Sequence, residues 1–254
     1  MPEATFRFYG ELNDFLPPAL RQRDITRRFL LPAPVKDLIE GLGVPHPEVE
    51  LILANGESVG FDYVVQGGDR ISVYPVFESL DVSPLVRVRA EPLRNPRFVL
   101  DTHLGRLAAH LRMLGLDALY RAGASDHELA RIAGEQHRIL LTRDAGLLKH
   151  GVVTHGYWVR ETQPRRQAAE IVRRFQLQRW VAPFTRCLRC NELLERLEGD
   201  PPTEIPIGIR DRHREFWRCP GCGRHYWQGS HYSRMQAWIE TLAGGSEPHT
   251  EAGE

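Results

Sequence analysis

Long apolar runs are missing from this sequence, and none approaches the ~20 residues that a bilayer-spanning helix requires. The first residues, Met1-Pro2-Glu3-Ala4-Thr5, contain no basic segment followed by an apolar one, so no secretory signal is expected. A net charge is also absent, with 33 Lys+Arg against 33 Asp+Glu, so bulk charge selects no partner. Lysine is nearly absent: only Lys36 and Lys149 occur, and the rest of the positive charge is arginine. That bias is as easily a matter of base composition and receives no functional weight. Cysteine is limited to four residues, Cys187, Cys190, Cys219 and Cys222. These absences together predict a cytoplasmic protein with no membrane association, whose few cysteines serve a metal before they serve disulfides.

What is present begins with 254 residues and 42% hydrophobic content, enough for one large domain or two to three small ones with packed cores. Charge is unevenly spread. Residues 1–80 are acidic, whereas residues 156–240 hold 15 Lys+Arg against 10 Asp+Glu. The later part is therefore weakly suited to an anionic partner.

Residues 4–77 read as a small α+β unit. Thr5–Tyr9 is a strand, Val35–Gly43 a short helix with a glycine stop, Leu51–Ala54 a strand entering the Asn55-Gly56 turn, and Gly67–Pro75 a turn with an alternating strand. This order resembles the β-grasp, ubiquitin-like sulfur carriers of molybdopterin and thiamine synthesis. Those carriers end in a reactive Gly-Gly, whereas here Tyr74-Pro75 runs on into Val76–Leu80. A binding or solubilising unit is expected, and sulfur transfer is not. The proline- and arginine-bearing stretch 81–96 reads as a linker, with Leu85–Arg89 as an extended piece docked on a neighbour.

From Phe98 the pattern alternates strand and helix, which implies a parallel sheet covered by helices. Phe98-Val99-Leu100 leads into Asp101, and Ile139-Leu140-Leu141-Thr142 leads through Arg143 into Asp144. Leu104, Leu107, Ala108, Leu111 and Leu114 recur at helical spacing up to Gly115. Ser125 and Glu128 form a capping box, with Asp126 in the first turn. In such sheets the working site lies beyond the carboxyl ends of the strands. Three carboxylates gathered there repel one another unless a cation neutralises them, and oxygen-only ligands suit Mg²⁺ or Mn²⁺. The alternative for each acid alone is an ordinary helix cap or first-turn acid. Glu128, Arg143 and Arg106 are candidate supporting residues, and Arg112 is a candidate phosphate contact. His103 and His110 share a helix face, as metal ligands or simply as hydrogen-bonded side chains.

Cys187-x-x-Cys190 and Cys219-x-x-Cys222 are paired knuckles, each aiming two thiolates at one cation, and together they complete a tetrahedral, structural Zn²⁺ shell. Arg189, Arg224 and Trp227 belong to a cluster of arginines and aromatics around the knuckles. That cluster suits single-stranded RNA, or else is a solvated basic surface over a small core.

Residues 97–150 resemble the PIN-like nuclease family named after the C-terminal domain of the Mut-seven ribonuclease. The resemblance rests on Phe98–Asp101 with Leu104–Ala108, on Leu111–Asp117, on Asp126-x-Glu128-Leu129, on Ile139–Asp144, and on Tyr226-Trp227-x-Gly229-Ser230-His231. Fusion to an N-terminal ubiquitin-like unit is a known arrangement in that family. The resemblance implies metal-dependent cleavage of RNA, with Asp101, Asp126 and Asp144 as catalytic Mg²⁺ or Mn²⁺ ligands. It also implies a multi-domain chain: a ubiquitin-like β-grasp domain (1–80), the linker (81–96), a PIN-like α/β nuclease domain (97–182), a zinc ribbon (183–242) and a disordered tail (243–254). RNA is the expected partner, with a protein partner reached through the ubiquitin-like domain. The alternative is a non-catalytic RNA- or ribosome-binding adaptor on a degenerate PIN-like fold.

Overall fold

The computed structural model describes residues 1–75, 88 and 96–243. The disordered tail expected from residue 243 on lies outside them but for its first residue, as does the linker expected at 81–96 but for Val88 and Pro96. Val88 is half-buried and packs against the N-terminal core. The chain divides into two compact units, Met1–Asn95 with Ala124–Trp158, and Pro96–Gly123 with Val159–Glu254.

The first unit opens with β1 (Glu3–Phe8), β2 (Ile25–Arg28), α1 (Val35–Gly41), β3 (Leu51–Ala54), β4 (Glu57–Val59) and β5 (Arg70–Tyr74). These strands form one mixed sheet in the order β2-β1-β5-β3-β4, with β1 and β5 parallel. Alternation along β1 turns Ala4, Phe6 and Phe8 inward, where Val35 and Ile39 of α1 cover them. Asn55 and Gly56 both take positive φ (53° and 91°), the geometry of a tight two-residue hairpin, and they join β3 to β4. The β-grasp order expected from sequence is thus present. Strand β2 carries no sequence signal because only Ile25 of its four residues is buried, so an edge strand of Thr-Arg-Arg shows no alternation.

Asp69 ties this sheet together. Its carboxylate accepts from the Gln66 amide (2.7 Å), Asn55 Nδ2 (2.8 Å) and Tyr63 Oη (2.9 Å). Burial alone would push this carboxyl up, but the three donors outweigh it and hold the group below its ordinary value. A carboxyl depressed on folding adds stability above its unfolded pKa of about 4, and that stability is lost as pH falls through the folded value. Asp69→Ala is therefore expected to cost about 1–3 kcal/mol at pH 7, the scale of stranding buried donors. Urea unfolding at pH 7 and pH 3 checks this: the gap to the parent should shrink in acid, and an equal gap at both values contradicts the account.

The same unit continues with α3 (Asp126–Glu135), β8 (Ile139–Thr142), α4 (Ala145–Leu148) and β9 (Gly156–Trp158), which follow β6 (Phe98–Leu100), α2 (Gly105–Met113) and β7 (Ala118–Tyr120) of the other unit in chain order. Strands β8 and β9 pair in parallel, setting Thr142 beside Trp158. All four residues of β8 are buried, as its unbroken apolar run predicts for a parallel strand.

The second unit holds β6 (Phe98–Leu100), α2 (Gly105–Met113), β7 (Ala118–Tyr120), α5 (Pro164–Arg174), β10 (Glu195–Arg196), α6 (Ile207–Arg210), β11 (Trp217–Arg218), β12 (His225–Tyr226) and α7 (Tyr232–Ala243). Strands β6 and β7 are parallel, and Phe98 packs edge-on against Phe175 (5.7 Å). Gly115 ends α2 at φ +85°, where any Cβ would stand 2.1 Å from the Ala182 carbonyl, so only glycine fits. Strands β10, β11 and β12 form an antiparallel ribbon with two residues each. So short a ribbon buries little and needs another staple.

Candidate functional site

The four cysteines are the candidate for that staple. Among the described residues they are the only group of three or more Cys, His, Asp or Glu side chains whose donor atoms all lie within 4.8 Å of one another. Cys187 Sγ is 3.6 Å from Cys222 Sγ, and Cys190 Sγ is 3.2 Å from Cys219 Sγ. None is in a disulfide. A tetrahedron with metal–sulfur bonds of about 2.3 Å has edges of about 3.8 Å, so this donor set fits an ion such as zinc. Each knuckle is closed by its own backbone: Asn191 N donates to Cys187 O (3.0 Å) and Gly223 N to Cys219 O (2.9 Å).

The thiols differ in acidity. Burial pushes Cys187 up, but hydrogen bonds from Tyr226 Oη and the Arg189 and Cys190 amides outweigh it and hold the thiol at about 6. Burial and the neighbouring sulfurs push Cys190 up to about 12, and burial also raises Cys219. One sulfur is thus ready as thiolate, and its neighbours resist a second charge until a cation arrives. Tyr226 Oη also accepts from Leu188 N (3.2 Å), so this aromatic belongs to the knuckle.

The first knuckle is stitched to the strands beside it. Arg112, expected as an RNA contact, is only 3% exposed. Its guanidinium donates to Ala118 O (2.8 Å), Leu188 O (3.0 Å) and Arg189 O (2.8 Å), so it is a scaffold residue and offers solvent no phosphate contact. Asn191 works beside it, accepting from Ala118 N (2.9 Å) and donating to Asp117 Oδ1 (2.8 Å). Arg189 and Arg224 are exposed and Trp227 is half-buried, while Phe216 is buried in the ribbon core.

Two of the candidate acids, Asp101 and Asp144, sit at strand ends. Asp101 follows β6, is 6% exposed, and caps the 3-10 turn Thr102–Leu104: its Oδ1 accepts from Thr102 N (2.5 Å) and Thr102 Oγ1 (3.1 Å). Tyr120 Oη of β7 donates to Thr102 O (2.9 Å) and fixes that turn. Asp144 follows β8 by two residues, is exposed, and caps α4 through Oδ1 to Gly146 N (2.7 Å). Its own amide donates to Thr142 Oγ1 (2.9 Å), so Thr142 satisfies the backbone just past the strand end. Asp126 is the exposed first residue of α3, whose cap is Ser125 Oγ accepting from Glu128 N (3.3 Å). The half-buried Glu128 stands in that first turn, and Arg106 and Arg143 are exposed. His110 bonds to Arg106 O (2.8 Å) and meets the Trp238 ring edge-on (5.3 Å), so it is a packed side chain.

Among the described residues no helix is long and apolar enough to cross a membrane. No curated protein and no solved structure is similar enough to count as a match. Two family models do match: the Mut7-C RNAse domain over residues 96–239, and Mut7-C ubiquitin over residues 1–81. The chain therefore belongs to the Mut7-C RNAse domain family and carries a Mut7-C ubiquitin domain at its N-terminal end.

Proposed function

We propose that this chain is a metal-dependent ribonuclease of the cytoplasm, built as a ubiquitin-like domain (1–80), a PIN-like nuclease domain (97–182) and a zinc ribbon (183–242). The observation that carries the reading is the match of the Mut7-C RNAse domain to residues 96–239, which contains every candidate acid. Asp101, Asp126 and Asp144 would hold Mg²⁺ or Mn²⁺ through carboxylate oxygens, the donors those ions prefer. Such an ion supplies Lewis acidity and neutralises phosphate charge. Asp144 caps α4 through Oδ1, and its Oδ2 would be the oxygen offered to such an ion. Glu128 is the reserve acid, and the guanidinium groups of Arg106 and Arg143 would hold the phosphates flanking the scissile bond.

The four cysteines would hold Zn²⁺ as a closed structural site, and a reducing compartment keeps them free for it. Arg189, Arg224 and Trp227 would then contact RNA by phosphate pairing and stacking. The ubiquitin-like domain would take a protein partner, to which Leu30 and Leu31 offer an exposed apolar pair.

A second reading, a non-catalytic RNA- or ribosome-binding adaptor, is favoured by one observation: Asp101 and Asp144 both already serve as helix caps. Incubating the purified chain with single-stranded RNA decides between them. The nuclease is expected to cleave in Mn²⁺, to stop in chelator and to resume when Mn²⁺ is restored. RNA that is bound yet left intact at every metal concentration selects the adaptor.

A further inference from the structure

Trp158 links the ubiquitin-like part to the acid-bearing turn 142–146. Glu48 is 0% exposed, and its Oε1 accepts from the Trp158 amide at 2.5 Å. Phe15 packs against the Trp158 ring, with centroids 5.3 Å apart. From that position the indole Nε1 donates to the Arg143 carbonyl at 2.9 Å, one residue before Asp144. Two more bonds fasten the same segment: His46 Nε2 to Val153 O (2.7 Å) and Lys149 Nζ to Glu40 O (2.9 Å). Pro47 also approaches Gly156 closely, where an added Cβ would lie 3.4 Å from it and 2.6 Å from Leu148 Cδ2.

A buried carboxylate is costly unless its oxygens are bonded, and a simple linker domain would have no reason to bury one against a strand end. The backbone of residue 143 sets where Asp144 begins, and among the described residues the Asp144 amide and carboxylate bond to Thr142 and Gly146, both close by in the chain. We propose that Glu48 and Trp158 are positioning residues for Asp144, so that the ubiquitin-like domain sets the geometry of the acid-bearing turn from within the fold. This rests on the reading of Asp144 as a metal ligand for its functional meaning, but the mechanical coupling stands on the bonds above.

Amide hydrogen exchange on the full-length chain tests the coupling without any metal. Trp158→Phe keeps an aromatic ring and the amide, and removes the Nε1 donor with the pyrrole half of the indole. It is expected to speed exchange at the Asp144 and Gly146 amides about tenfold, the scale of one net hydrogen bond. Amides of β1 and β5 should keep their protection. Glu48→Ala is expected to do the same, and Glu48→Gln, which retains an acceptor oxygen, to restore protection. Unchanged exchange at 144 and 146 in folded Trp158→Phe or Glu48→Ala overturns the proposal. Calorimetry with Mn²⁺ supplies the second arm: outer-shell losses typically weaken metal binding about 10–100-fold. Exchange that responds in a parent chain lacking Asp144-dependent Mn²⁺ binding upholds the coupling and refutes the metal reading. Mn²⁺ binding that is lost in Asp144→Asn but intact in both Trp158→Phe and Glu48→Ala, with no change in exchange, refutes the coupling and leaves the metal reading standing.

Discussion

Asp144→Asn and Asp101→Asn are each expected to lower RNA cleavage by about 10²–10³-fold, the scale of removing one charge-stabilising group from a catalytic site, while the fold stays intact. Asparagine is chosen because it caps helices as well as aspartate does. Its side-chain oxygen can still accept from Gly146 N at position 144, or from Thr102 N at position 101. Only the charge is removed, so the cap and the ligand roles separate. Asp144→Ala removes both, and should add a stability loss of about 1 kcal/mol to the loss of activity. Initial cleavage rates in saturating Mn²⁺, read beside thermal unfolding, measure the two effects independently. Asparagine variants that cleave RNA as fast as the parent would show that these aspartates are caps and nothing more.

Cys219→Ser is expected to abolish zinc binding and unfold the ribbon. Structural zinc in isolated finger peptides is worth about 10–16 kcal/mol at neutral pH, and that binding energy is folding energy. The ribbon has little else, since its three strands contribute two residues each. Cys219 is fully buried, so a serine hydroxyl there would replace a thiolate with a poor ligand in a dry place. Metal content by mass spectrometry should fall from one zinc to none. Exchange should rise at the Cys187, Asn191, Cys219 and Gly223 amides, which now bond within the knuckles. Chelator on the parent should reproduce the change. A zinc-free ribbon whose amides stay protected would refute the staple.

The parts legible from sequence were those whose cause is local. Asn55-Gly56 announces a hairpin because both positions need left-handed φ. Leu104 to Leu114 announces α2 by its period, and Gly115 its end. The cysteine spacing announces a cluster because each C-x-x-C turn brings two sulfurs close together. What could not be read depends on distant partners. Arg112 looked like one more arginine near an acidic region, and only the approach of residues 188 and 189 turns it into a buried clasp. Asn191 was just the residue after a cysteine until Ala118 met it. Glu48 and His46 follow a helix in a region with no evident chemistry, and their partners lie at Trp158 and Val153. The one local signal is a glutamate with no lysine or arginine nearby in sequence to pair with if it is buried.

The hydrogen bonds that join the ubiquitin-like part to residues 149–158 span 107 to 110 positions of chain. Those inside the β-grasp sheet close within its first 75 residues. Chains emerge from the ribosome amino end first, and loop closure must be met before distant pairings repay it. The β-grasp sheet can therefore assemble early, while strand β9 has still to be synthesised. For that interval Glu48 faces water with its future partner unmade, and its charge is hydrated at no cost. When Trp158 arrives it meets a surface already shaped, so the last strand of the first unit docks onto a finished template. The order of synthesis thus places the burial of Glu48 among the late steps of folding, after the sheet that carries it.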